Sequence, residues 1–121
     1  MKRLRQRFAL VLLAALLASP AGAHAVLDYA IPAARSTVRA SPKEITLKFS
    51  QRLEPAFSGI EVFDVKGKQV DRGDSRIDDA DPASLRVTLP PLAPGRYRVS
   101  WRVLAIDTHV SQGDFTFDVG P

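Results

Sequence analysis

The chain contains no cysteine. Disulfides, thiolate metal sites, a haem-attachment motif and a cysteine nucleophile are therefore all excluded. No apolar run is long enough to span a bilayer as a helix. The run from Phe8 to Leu17 is ten residues, where about 20 are needed to cross ~30 Å of hydrocarbon. No window has a convincing helical period, so a helical fold has no support. Histidine is scarce too, with only two in 121 residues, His24 and His109.

What is present begins with a targeting segment. Lys2, Arg3, Arg5 and Arg7 form a basic start, Phe8 to Leu17 an apolar middle, and Ser19-Pro20-Ala21-Gly22-Ala23 a small-residue end with an Ala-x-Ala site. This pattern predicts a cleavable signal peptide over residues 1–23 and a mature domain over 24–121. Ala23-His24-Ala25 is a second Ala-x-Ala site, and cleavage there would start the chain at Val26. Without the segment the basic total falls from 17 to equal the 13 acidic residues. A nucleic-acid or membrane-surface reading, which the precursor's net charge of +4 invites, loses its basis. A small exported domain without disulfides must hold itself by packing, or by packing plus a ligand.

Alternation with period 2 dominates the rest. Ile45, Leu47 and Phe49, then Leu85, Val87 and Leu89, then Tyr97, Val99, Trp101 and Val103, then Phe115, Phe117 and Val119 each alternate with polar residues. Such runs have one apolar and one wet face, as antiparallel sandwich strands require. Turn signals at Ser41-Pro42, Lys66-Gly67-Lys68, Asp81-Pro82, Pro90-Pro91 and Pro94-Gly95 separate them. With segments near 26–31 and 59–65, the pattern predicts an all-β, immunoglobulin-like Greek-key sandwich of about seven strands. The polar stretch Asp71–Asp81 is expected as an exposed loop. Its aspartates lack the spacing, glycine and terminal glutamate of an EF-hand calcium loop. Arg86, Arg96, Arg98 and Arg102 fall on wet faces and are expected to pair with acids on neighbouring strands.

The two histidines carry the chemistry. Cleavage after Ala23 makes His24 the first residue, whose α-amine and imidazole Nδ1 close a chelate ring without any folding. The amine has an ordinary pKa of about 7.7–8.0, so a metal displaces its proton near neutral pH. His109 lies two residues after Asp107, so in an extended segment both project to one side. Together the three residues offer three nitrogens and a carboxylate oxygen, a set that favours Cu(II) or Ni(II), with Cu(II) preferred because it tops the affinity order. Each feature also has a plainer account: a tolerated histidine on a frayed terminus, and an Asp-x-His turn whose carboxylate caps backbone amides.

At this point the sequence resembles the CopC family of periplasmic copper-binding proteins. The resemblance is carried by His24-Ala25-Val26-Leu27, Pro32-Ala33, Ser41 to Ser50, Phe57-Ser58-Gly59, Leu92 to Val103, Asp107-Thr108-His109, Gly113 and Phe115 to Val119. It implies a seven-stranded Greek-key barrel or sandwich with one Cu(II) near one end. His24 would supply amine and imidazole, His109 imidazole and Asp107 carboxylate. It also implies a role in copper tolerance or uptake, often beside an inner-membrane CopD-type protein; the chain itself is expected to be a monomer. Two departures narrow this. The only methionine is Met1, which leaves with the signal, so no Cu(I) site is expected. Some members carry a glutamate after the Phe-Ser pair, where this chain has Gln51.

Two other classes remain open. A copper oxidase with a histidine-brace site needs an open metal face and exposed aromatics, whereas Trp101 and Tyr97 fall in core registers. A metal-free structural sandwich predicts copper binding that is weak and indifferent to His24→Ala.

Overall fold

The computed structural model describes residues 25–121, so the expected signal segment over 1–23 and His24 lie outside the described residues. Among the described residues, eight strands form two four-stranded sheets. They are β1 (Leu27–Ile31), β2 (Thr37–Val38), β3 (Glu44–Phe49), β4 (Gly59–Phe63), β5 (Arg76–Asp78), β6 (Asp81–Thr88), β7 (Gly95–Leu104) and β8 (Val110–Val119). One sheet runs in the order β1-β3-β6-β5 and the other β2-β8-β7-β4. Pairing is antiparallel except for β2, which lies parallel to β8. The chain crosses between sheets after β1, β2, β3, β4 and β6, which gives the expected sandwich its Greek-key character.

The period-2 runs become the two inner faces. Ile45, Leu47 and Phe49 on β3 and Leu85 and Val87 on β6 face Val62 on β4, Val99 and Val103 on β7 and Phe117 on β8, all at most 1% exposed. Burying each such side chain contributes roughly 1.5–3 kcal/mol, so these alternating positions carry most of the fold's stabilisation. Trp101 continues the inner register of β7 and packs edge-on against Phe49 across the sheets, ring centroids 5.1 Å apart. Its indole also covers Gly113, its partner on β8. A Cβ there would meet the indole at 2.6 Å, so only glycine fits opposite this tryptophan.

Three sequence expectations change. The strand count is eight, because β2 and β5 are two and three residues long, too short to show a period. The Asp71–Asp81 stretch is not simply a loop, since it contains β5 and forms the edge of a sheet. Asp81-Pro82 is the start of β6 rather than a turn. Proline is tolerated at the beginning of a strand, where its missing N–H costs no ladder bond.

Three of the four wet-face arginines pair with acids as expected, and Arg102 makes no ion pair among the described residues. Arg86 bonds Glu44 and Asp78, Arg96 bonds Asp118, and Arg98 lies 3.9 Å from Asp114 while stacking over the Phe63 ring. The outer edge of β4 is closed by side chains. Asp71 Oδ2 accepts from the Val62 N–H at 2.8 Å, and Ser75 Oγ accepts from the Ile60 N–H at 2.9 Å. These bonds satisfy edge amides that would otherwise invite another strand.

Candidate metal centre

β7 and β8 form one long hairpin whose ladder runs from Gly95↔Val119 to Leu104↔Val110. Its connecting loop, 105–109, carries Asp107 and His109. The loop is closed by its own backbone: the Ala105 N–H donates to the His109 carbonyl at 3.0 Å, and the Thr108 N–H donates to the Ala105 carbonyl at 2.9 Å. Ala105 is fully buried and anchors the turn in the core.

The loop is also tied to the segment that follows β3. Ala105 bridges Leu53, the Ile106 N–H donates to the Arg52 carbonyl, and the Glu54 N–H donates to the Leu104 carbonyl. The same segment holds the start of the described chain. The Ser50 N–H donates to the Val26 carbonyl, and Ser50 Oγ accepts from the Val26 N–H, each at 2.9 Å. Ala25 is 2% exposed and belongs to the core. Residues 25–26, 50–54 and 105–109 therefore form one end of the sandwich, joined through Ser50 and Arg52.

Asp107 and His109 come together there. His109 Nδ1 lies 3.4 Å from Asp107 Oδ1, with the histidine side chain half exposed. Asp107 Oδ1 also accepts from the His109 N–H at 3.2 Å, an Asx turn. So the plainer account of Asp-x-His as an amide-capping turn describes one carboxylate oxygen. It does not describe the other. Asp107 Oδ2 is buried and has no hydrogen-bond partner among the described residues. A buried carboxylate oxygen without a partner costs about 1–3 kcal/mol or more, and in native proteins it calls for a specific reason such as an ion.

The reason the pair meets differs from the expected one. The segment is a turn, not an extended strand, and Thr108 within it has φ 72°. His24 lies outside the described residues. Among the described residues no group of three His, Cys, Asp or Glu side chains is gathered as a metal cage. Asp107 and His109 stand as a pair that supplies one imidazole and one carboxylate, donors that suit a divalent copper ion. Gln51, at the position where a glutamate was in question, sits half-buried in the bend after β3.

Two contributors escaped the sequence reading. Ser50 tethers the start of the described residues to this end, and Thr108 sets the turn between the pair. A serine directly after a strand and a threonine inside Asp-x-His carry no pattern that announces either role.

Comparison with known proteins places this geometry in context. A CopC domain model matches residues 27–120. Protein YobA of Escherichia coli strain K12 is 37% identical over 115 residues, covering 93% of each chain. The crystal structure of CopC from Methylosinus trichosporium OB3b is 39% identical and superposes with a TM-score of 0.72, over 81% of this chain and 95% of that one. The structure of PcoC, a methionine-rich copper resistance protein from Escherichia coli, is 36% identical with a TM-score of 0.67, over 80% of this chain and 99% of that one.

Proposed function

This chain belongs to the CopC family, and on that premise we propose that it is a periplasmic Cu(II) carrier or buffer holding one ion per chain. The donors are the amine and imidazole of His24, exposed by cleavage after Ala23, the imidazole of His109 and the carboxylate of Asp107. The observation that carries this reading is the Asp107 carboxylate, whose Oδ1 lies 3.4 Å from His109 Nδ1 and whose Oδ2 is buried with no hydrogen-bond partner among the described residues. It is supported by the Ser50 tether, which pins Val26 at the same end and leaves His24 two residues from an anchored position.

The chemistry required is binding, orientation and release rather than turnover. A chelating terminal amine gives affinity, the hairpin loop gives the third nitrogen and a compensating negative charge, and the half-exposed His109 leaves a route for transfer. With Met1 the only methionine and no cysteine, soft ligands for Cu(I) are lacking in the mature chain, in contrast to the methionine-rich PcoC. The cargo is thus Cu(II) alone. The protein acts as a monomer in copper resistance or homeostasis, handing its ion to or from an inner-membrane CopD-type protein.

A competition titration with Cu(II) on the mature protein tests the donor set. His24→Ala removes the chelate and should weaken binding by about a hundredfold or more, near 2.7 kcal/mol. His109→Ala should cost more than Asp107→Ala, because it removes a nitrogen rather than a carboxylate oxygen. Equal affinities across the three variants and the wild type would refute these roles.

A further inference from the structure

Thr108 sits between the two donors in a conformation that β-branched residues avoid. Its φ of 72° lies in the left-handed region, where Cβ crowds the backbone. Arg35 is the one other non-glycine residue with positive φ among the described residues. Such a conformation persists only when its surroundings over-determine it. Here they do. The Thr108 N–H is held by the Ala105 carbonyl and the Thr108 hydroxyl donates to the Asp107 carbonyl at 2.5 Å. Ala105 and His109 close the loop around it at 3.0 Å.

We infer that Thr108 is a positioning residue for copper: its left-handed turn brings the Asp107 carboxylate and the His109 imidazole to one side, 3.4 Å apart. This rests on the reading of the site given above. An extended strand also puts residues two apart on the same side, but it spaces them by roughly 6.6 Å along the chain. The turn instead folds the chain back, so that the His109 N–H reaches Asp107 Oδ1 and the two side chains approach to 3.4 Å. The residue type follows from that task. Glycine reaches the same φ but many others too, and leaves the pair free to separate. Threonine, stiff at χ1 and bonded through its hydroxyl, holds one geometry before the metal arrives.

Three variants test this by Cu(II) titration and by the electron paramagnetic resonance spectrum of the bound ion. Thr108→Pro fixes φ near −65° and removes the N–H, so affinity should fall by about tenfold or more, as when partners orienting a ligand are lost. Its spectrum should also shift, because carboxylate and imidazole no longer bind together. Thr108→Asn tolerates the left-handed region and should keep the wild-type affinity and spectrum. The near-UV circular dichroism of Trp101 reports whether the hairpin is folded. If the proline variant loses that signal, Thr108→Gly replaces it and should bind more weakly than Thr108→Asn. In the copper-free wild type, a strong intraresidue amide–Hα cross-peak at Thr108 is expected, and a weak one would overturn the geometric premise. Wild-type affinity and spectrum in the folded Thr108→Pro or Thr108→Gly protein would overturn the proposal alone. Failure of the wild type to bind Cu(II) would overturn the site reading and the proposal with it.

Discussion

The acidic stretch from Asp71 to Asp81 and the hairpin loop around Asp107 both set carboxylates against backbone amides, and they finish them differently. In the acidic stretch, Asp71, Asp74, Asp78 and Asp81 each use both oxygens. Asp71 accepts from the Val62 and Gly73 amides, and Asp74 accepts from the Thr88 amide and pairs with Arg76. Asp78 accepts from the Ala80 amide and Arg86, and Asp81 from the Ala83 amide, Ser84 and Lys48. In the loop, Asp107 uses one oxygen for the same kind of turn and keeps the other buried without a partner among the described residues. The first group is fully occupied in holding strands and turns of the two sheets. The second has capacity left over. Carboxylate count alone would have pointed to the wrong region, since the acidic stretch is far richer in aspartate.

The sharpest way to break this contrast is to exchange the consequences of two substitutions. Asp107→Asn keeps an oxygen for the turn and removes the charge, so Cu(II) affinity should fall by about tenfold while the melting temperature of the copper-free protein stays the same or rises. A fall in copper-free stability with unchanged affinity would make Asp107 one more structural aspartate. Asp71→Ala should do the reverse. It strands the Val62 and Gly73 amides and should destabilise the copper-free protein by about 1–2 kcal/mol. For a domain of this size each kcal/mol lowers the melting temperature by roughly 4–8 °C. Its Cu(II) affinity should match the wild type, and a matching loss of affinity would dissolve the distinction.

A smaller effect appears in acid. Lys48, then the Ala83 amide and Ser84, hold the Asp81 carboxyl down to about 2. Hydrogen bonding from Thr88 lowers Asp74, and the Ala80 amide with Arg86 lowers Asp78. Groups depressed in the folded state contribute stability that is complete above their unfolded values near 3.9 and is lost as pH falls toward the folded ones. The stability measured by denaturant unfolding should therefore fall between about pH 4 and pH 2, and Asp81→Asn should flatten that slope. An unchanged slope would show that these pairs are too exposed to matter, as many surface ion pairs are.

Much of the fold was legible because inner faces repeat every two residues. Ile45, Leu47 and Phe49, or Tyr97, Val99 and Val103, announce a strand and its buried side together. β2 and β5 were not legible, because two or three residues contain no period and Arg76-Ile77-Asp78 is charged at both ends. β5 exists through pairing with β6 and the Asp78–Arg86 bond, both tertiary facts. At the site, Asp107 and His109 were legible as a pair, but the reason was not. A left-handed threonine is set by the loop that closes around it, and residue type argues against it. The Ser50 tether was hidden for a similar reason: it joins positions 24 apart in sequence.

The most direct test is native intact-mass spectrometry of the protein recovered from the periplasm, with and without one equivalent of Cu(II). The account predicts a chain that begins at His24 and retains one copper ion. A chain that begins at Val26, or one that begins at His24 and retains no copper, would contradict it.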